Sequence, residues 1–273
     1  MNSDYKKLEN GLKIPSIGFG TYKLGDDEQV INAVNYALKV GYRHIDTAAV
    51  YGNEESVGEA IKESGIPREE LFITTKLWNQ DMRDHKVMEA FETSLKKLDL
   101  DYVDLYLIHW PVKNEYIPSY KIMEEIYKSG RAKAIGVSNF KTHHLQDLLD
   151  NTEIVPAVNQ MEFNPQMQDN DILEMCKEKG IVLEAWSPLG SGACLNNKEI
   201  IDIGKKYNKS AAQVIIRWLL QKDIVVFPKS VHENRIKENA DVFDFELTNE
   251  EIELINGMNK NLRTGPDPDT FNF

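Results

Sequence analysis

The feature that most constrains this chain is an alternation. Short apolar runs at 16–19, 42–45, 71–76, 103–109, 132–137, 157–161, 181–186 and 224–227 are each followed by a helical pattern. Val30, Ala33, Val34, Ala37 and Leu38 show the rule: they fall at i, i+3, i+4, i+7 and i+8, the stripe of an amphipathic helix, with Gly41 as its stop. Val57, Ala60 and Ile61 repeat it ahead of Gly65 and Pro67, and Met88, Phe91, Leu95 and Leu98 repeat it again. Strands that alternate with helices pair in parallel and are covered by those helices. Eight such units in 273 residues predict a closed (β/α)8 barrel of TIM type, one domain spanning 1–273. The glycines of the first run lack a Gly-x-Gly-x-x-Gly opening directly into a helix, so a Rossmann half is not supported.

Three segments stand outside the alternation. Asn10-Gly11 between two short alternating runs predicts an N-terminal β-hairpin with a two-residue turn, capping one end of the fold. Extra helices are expected after the seventh and eighth strands, one from the cap Ser210 and a short one at Arg235, before a last helix with the capping box Thr248-x-x-Glu251. The tail after Met258 carries Pro266 and Pro268, which disfavour helix, so it should drape over the surface or over the barrel mouth.

Composition narrows the partners. The formal net charge of −12 repels phosphate backbones, which argues against nucleic acid. No apolar run approaches the roughly 20 residues of a membrane span, and the first ten residues have no signal-peptide core, so a cytoplasmic protein is expected. Cys176 and Cys194 are too few and too far apart for a disulfide framework or a zinc motif. His143-His144, at a helix start with no acid or cysteine at ligand spacing, reads as exposed surface, and no metal is expected.

In parallel α/β folds the carboxyl ends of the strands gather chemistry. The second run ends on Asp46, and Tyr51 follows on the next turn; the third ends on Lys76 and the fourth on His109. A phenol is a poor acid alone, with a reference pKa of about 10, and a nearby cation favours its ionised form. Each residue by itself has a bland reading: Asp46 as a turn cap, Tyr51 as surface, Lys76 in a structural ion pair, His109 as a core histidine. Four ionisable types on one face of one barrel favour a site.

In their contexts, His-Ile-Asp-Thr-Ala-x-x-Tyr-Gly-Asn-Glu, Thr-Lys-Leu-Trp and Leu-Ile-His-Trp-Pro, these four resemble the catalytic tetrad of the aldo-keto reductases. The likeness runs nearly the whole chain and is nearest the short bacterial members of the 2,5-diketogluconate and methylglyoxal reductase type. It implies NADPH-dependent reduction of aldehydes and ketones, with Tyr51 as proton donor, Lys76 paired with Asp46 depressing the Tyr51 pKa, and His109 orienting the substrate oxygen. It places Ser138, Asn139 and Gln160 on the nicotinamide amide, with Asp46 close by, and Trp186 on its ring. It assigns Ser187, Pro188, Leu189, Gly190 and Ser191 to the pyrophosphate, and Lys229, Ser230, Val231 and Arg235 to the adenosine 2′-phosphate. Glu238 and Asn239 are assigned near the adenine, and Gly20, Thr21 and Tyr22 also to the cofactor. NADH is expected to bind more weakly, since a guanidinium and a lysine suit a 2′-phosphate. Tyr22, Val50, Tyr51, Trp78, His109, Trp110 and Asn139 should shape an open pocket for small carbonyl compounds in a monomer. Two rivals stand beside this: a nicotinamide-binding regulatory or structural barrel without turnover, and an aldolase using Lys76 as a Schiff-base nucleophile.

Overall fold

The computed structural model describes residues 4–273. Strands β1 (Tyr5–Lys7) and β2 (Lys13–Pro15) form an antiparallel hairpin. A second sheet runs β3 (Phe19–Gly20), β4 (His44–Asp46), β5 (Phe72–Leu77), β6 (Val103–Ile108), β7 (Ala132–Ser138), β8 (Val158–Glu162), β9 (Val182–Trp186) and β10 (Val225–Val226), each strand parallel to the next. A parallel bridge between Ile17 and Val226, with Gly18 N donating to the Val226 carbonyl at 2.8 Å and Val226 N to that of Ser16 at 3.0 Å, closes the sheet into a barrel.

Helices fill the crossovers. After β3 comes α1 (Asp27–Lys39), after β4 α2 (Glu54–Ser64), and after β5 a short α3 (Asn79–Arg83) and α4 (Val87–Leu98). Then α5 (Tyr116–Lys128) follows β6, α6 (Thr142–Asn151) follows β7 and α7 (Asn170–Glu178) follows β8. Two helices follow β9, α8 (Lys198–Tyr207) and α9 (Ala211–Gln221), and two follow β10, α10 (Glu233–Ala240) and α11 (Asn249–Asn256). Thr248 closes the expected capping box with Glu251, and the expected cap Ser210 closes a second one with Gln213. α5 carries Pro118 in its first turn, where the missing N–H has no intrahelical partner to lose.

The hairpin turn differs from expectation. Leu8 N donates to the Leu12 carbonyl at 2.8 Å and Gly11 N to the Leu8 carbonyl at 2.9 Å, so Glu9, Asn10 and Gly11 form a three-residue connection. Gly11, at φ 87, takes the left-handed position that such loops place last.

The barrel divides its apolar residues between two clusters. Outward strand residues such as Ile45, Ile73, Tyr106, Ile135 and Leu183 pack under the helices. Inward residues Phe72, Leu105, Leu107, Ala134, Val158 and Val225 pack instead with Leu8 and Ile14 of the hairpin, which thereby plugs the amino-terminal end. Period-two alternation keeps the faces distinct, so Phe72, Thr74 and Lys76 share the axis side of β5 while Thr75 reaches out to Glu54 of α2 at 2.6 Å. From bottom to top the axis thus changes from hydrocarbon to ionisable groups. Ile14→Ala should lower stability by about 2–5 kcal/mol in urea unfolding, the usual range for a sealed aliphatic, and leave the opposite end intact; a loss below ~1 kcal/mol would show that the hairpin is not part of the core.

Candidate active site

Lys76, fully buried on β5, donates to Asp46 Oδ1 at 2.6 Å and to the Thr47 carbonyl at 2.8 Å, and its Nζ lies 3.5 Å from the Tyr51 hydroxyl. Tyr51 ends a 3-10 turn (Ala49–Tyr51) stopped by left-handed Gly52. His109, directly after β6, meets the Tyr51 ring edge-on at 5.7 Å and the Trp78 ring at 5.3 Å. Crossovers of one hand and parallel register bring these four side chains from three strand ends and one turn to one place.

Burial and charge compete there. Burial alone lowers the Lys76 pKa, but Asp46 and Tyr51 outweigh it and hold the ammonium above its ordinary value. That is opposite to what a Schiff-base lysine needs. Burial pushes the Tyr51 phenol up to about 12; Lys76 pulls down as expected and Asp46 pushes up, so the cation limits the rise without reversing it. Burial, with Lys76 adding, drives His109 well below its ordinary value, leaving a neutral imidazole. Its Nδ1 is sealed without a partner among the described residues, so Nε2 is the ring nitrogen open to the cavity.

A cavity of about 1300 Å³ runs from this group across the barrel mouth. Its wall near Tyr51 is a closed hydrogen-bond network. Trp186 Nε1 donates to Asn139 Oδ1 at 2.9 Å, and Asn139 Nδ2 donates to the His109 carbonyl at 2.9 Å and to Ser138 Oγ at 3.1 Å. Ser138 Oγ donates in turn to the Gln160 carbonyl at 2.9 Å. Asn139 holds this position with φ 66, a strained backbone for a residue other than glycine that the network over-determines. Ser187 at φ 50 and Ser191 at φ 53 bend the following loop the same way, and Pro188, Leu189 and Ser191 line the cavity.

At the far end stand Lys229, Ser230, Arg235, Glu238 and Asn239, with Lys23 opposite. Neither Lys229 nor Arg235 forms an ion pair among the described residues. Partial burial, then the charge of Lys23, lowers the Lys229 pKa. Three cations, Lys23, Lys229 and Arg235, outnumber the one carboxylate that lines the same end, Glu238, and with no ion pair to any of them among the described residues they make an anion site.

Most residues singled out in the sequence line this cavity, including Gly20, Tyr22, Val50, Trp78 and Trp110. Three do not. Thr21 lies behind the wall, its hydroxyl donating to the Asp46 carbonyl at 3.0 Å. Gly190 is buried against Cys194, where a Cβ would lie 2.8 Å from the sulfur. Val231 is exposed in a neighbouring surface groove.

The tail drapes over the mouth. Glu162 takes the Thr264 N–H and hydroxyl, both at 2.6 Å, and Gly265 N–H at 3.3 Å. That presses Gly265 so close to Trp186 that a Cβ would lie 2.4 Å from the indole. Phe273 stacks on Trp78 at 5.8 Å and 5°, and its carbonyl accepts from Asn79 at 3.1 Å and Arg83 at 2.9 Å. The tail also corrects the reading of His143-His144: Asp269 Oδ1 approaches their Nε2 atoms to 3.0 and 3.5 Å. His144 Nδ1 accepts the Lys141 N–H at 3.3 Å, so its proton is on Nε2 and points to Asp269, whose other oxygen binds Lys141 at 2.6 Å. The cluster is a strap anchor, in which both histidines have an acid partner.

Residues 16–260 match the aldo/keto reductase family. The chain belongs to that family. It is 52% identical over 270 residues to a glyoxal reductase of Bacillus subtilis, covering 99% of this chain and 98% of that protein. It is 48% identical over 269 residues to the methylglyoxal reductase DkgA of Escherichia coli, covering 97% of each. A Bombyx mori aldo-keto reductase solved in complex with NADP superposes with a TM-score of 0.93 at 38% identity, over 98% of this chain and 97% of that one. The reductase is thus an α/β barrel oxidoreductase, and no helix among its described residues is long and apolar enough to cross a membrane.

Sequence reading missed Asn79, Arg83 and Phe273 because tail-to-loop contacts across 194 and 190 positions leave no local pattern. In the reductase, Lys76→Met strands the Asp46 carboxylate in the interior and should reduce stability by about 3–5 kcal/mol. Adding Asp46→Leu should recover much of that in chemical denaturation, whereas simple additivity would show that the pair is not coupled.

Proposed function

We propose that this reductase is an NADPH-dependent enzyme that reduces small aldehydes, ketones and dicarbonyls to alcohols, with Tyr51 giving the proton. The observation that carries it is the Tyr51 hydroxyl at a cavity wall, 3.5 Å from a buried ammonium and beside a neutral His109. A phenol raised to about 12 keeps its proton at neutral pH, so it arrives protonated. As negative charge develops on the substrate oxygen, Lys76 stabilises the phenolate that Tyr51 becomes. His109 offers an Nε2–H to the same oxygen, since burying Nδ1 as a lone pair is less costly than burying it as an unpaired donor.

The residues fit the dinucleotide. Ser138, Asn139 and Gln160 would hold the carboxamide, although both Asn139 N–H bonds are engaged within the protein, so Asn139 contributes Oδ1 there. Trp186 would back the ring, the 187–191 loop would receive the pyrophosphate, and Lys229, Ser230 and Arg235 would receive the 2′-phosphate. The reduced nicotinamide, when bound, supplies the hydride that the carbonyl carbon takes up. The cavity lining runs from Gly20 to Phe273, and we take the protein as one barrel domain acting as a monomer. Tyr22 and Val50 are exposed at the rim and Trp78, Trp110 and Phe273 make an apolar side, which supports small, varied substrates such as those named for the glyoxal and methylglyoxal reductases.

NADPH oxidation with methylglyoxal, followed by near-ultraviolet absorbance, tests the reading. Tyr51→Phe should lower kcat by at least ~100-fold while NADPH still quenches tryptophan fluorescence; turnover near the wild-type rate would overturn the assignment, and wild type that binds NADPH without turnover would favour a binding protein. Lys229→Met should weaken NADPH by roughly 10- to 100-fold, the worth of a charge-assisted contact, and leave NADH within about twofold. Equal weakening of both would refute the 2′-phosphate site.

A further inference from the structure

Glu184 is a carboxyl group that the chemistry above does not use. It sits in the middle of β9, wholly buried, and faces the barrel axis between the apolar plug and Tyr51. Its neighbours there are few. Gln160 of β8 donates from one nitrogen, Nε2, to Glu184 Oε2 and to Asp46 Oδ2, both at 2.9 Å. The charged groups that act on Glu184 are Asp46 of β4 and Lys76 of β5; β10 contributes Val225 in register, which carries none. Glu184 Oε1 has no partner among the described residues.

An unbroken line therefore runs Glu184, Gln160, Asp46, Lys76, Tyr51. An amide nitrogen has two hydrogens, and here one goes to each carboxyl, so the only free capacity of Gln160 is its oxygen. The reverse orientation would set that oxygen against the Asp46 carboxylate. We propose that Glu184 is a positioning residue of this reductase: with Asp46 it locks the Gln160 amide so that only its oxygen is offered to the cofactor carboxamide, and its charge state acts through Asp46 and Lys76 on Tyr51. The proposal rests on the reductase reading above.

The charge effect has a definite sign. Burial, then the charge of Asp46, raises the Glu184 pKa to about 8, with Gln160 and Lys76 opposing, so the group carries a proton at neutral pH. Ionising it adds an unpaired negative charge to the interior, which disfavours the Tyr51 phenolate and weakens proton donation. Reduction by the wild type should therefore fall severalfold as pH rises through about 8.

Two variants test this. Glu184→Gln keeps an acceptor for Gln160 and cannot ionise. It should bind NADPH within about twofold of wild type by tryptophan quenching, and its kcat/KM should lose the fall near pH 8. Glu184→Leu removes the acceptor and should weaken NADPH by about tenfold or more, with unchanged circular dichroism. Wild-type affinity in Glu184→Leu overturns the locking role, and a Glu184→Gln pH profile that matches wild type overturns the charge role. Should Glu184→Leu not fold, Glu184→Met, which keeps the side-chain length without the carboxyl acceptor, takes its place in the NADPH test of the locking role. Binding is read without turnover, so wild type that binds NADPH but reduces nothing sinks the reductase reading, whereas failed variants beside an active wild type sink only the role of Glu184.

Discussion

The polar half of the barrel depends on the ion pair between Lys76 and Asp46. Neither group survives burial alone, since an unpaired charge in a low-dielectric interior is destabilising by several kcal/mol, and each reaches its partner at 2.6 Å. The Thr47 carbonyl takes a second ammonium proton and Gln160 satisfies the second carboxylate oxygen, so the pair is embedded in hydrogen bonds. A buried pair of this kind contributes little net stability. What it provides is a fixed positive charge beneath a phenol, in a place where water would otherwise screen it.

The position of that pair follows from how the two ends of the barrel are filled. Leu8 and Ile14 close the lower end with hydrocarbon, so inward residues there need no polar partners. Two residues beyond Val158 and Val182 the same face carries Gln160 and Glu184, and two further again Glu162 and Trp186, while on β5 Lys76 stands four residues beyond Phe72. Parallel register sets these in layers: Gln160 lies opposite Glu184, and Glu162 opposite Trp186. The upper layer anchors the tail, the middle one holds the amide, and the lower one only packs. A shift of register by one residue would turn every one of these groups into the helix layer.

The alternation of apolar runs and helical stripes made the barrel legible because it is a local pattern with long repeats. The clustering of Asp46, Tyr51, Lys76 and His109 was legible for the same reason, as three of them end a run and Tyr51 follows on the next turn. Other features were not. The Asn10-Gly11 pair marks a turn, but whether the loop has two residues or three depends on how Leu8 and Leu12 pair. His143 and His144 looked partnerless because Asp269 lies far away in sequence. The prolines of the tail left it over the surface or over the mouth, and the anchors that decide, Asn79, Arg83 and Glu162, exist only once the barrel has closed. Glu184 was hidden differently: in an otherwise apolar strand its charge is visible, but whether it faces helices or axis depends on register, and its meaning on Gln160.

One apparent conflict resolves through distance. A chain of net charge −12 should repel a cofactor rich in phosphate, yet the far end of its cavity holds Lys23, Lys229 and Arg235 without an ion-pair partner among the described residues. Fields from exposed charges fade over a Debye length of about 8 Å at physiological ionic strength. The acids on distant helices are screened from an incoming phosphate, and the three cations, which outnumber Glu238 in the same lining, are not. The acidic surface thus discourages extended polyanions, which cannot avoid it, while a compact dinucleotide meets mainly the pocket's own field. The same locality explains the inner end, where a single added negative charge at Glu184 would be felt by Tyr51 because Gln160, Asp46 and Lys76, which link them, are buried.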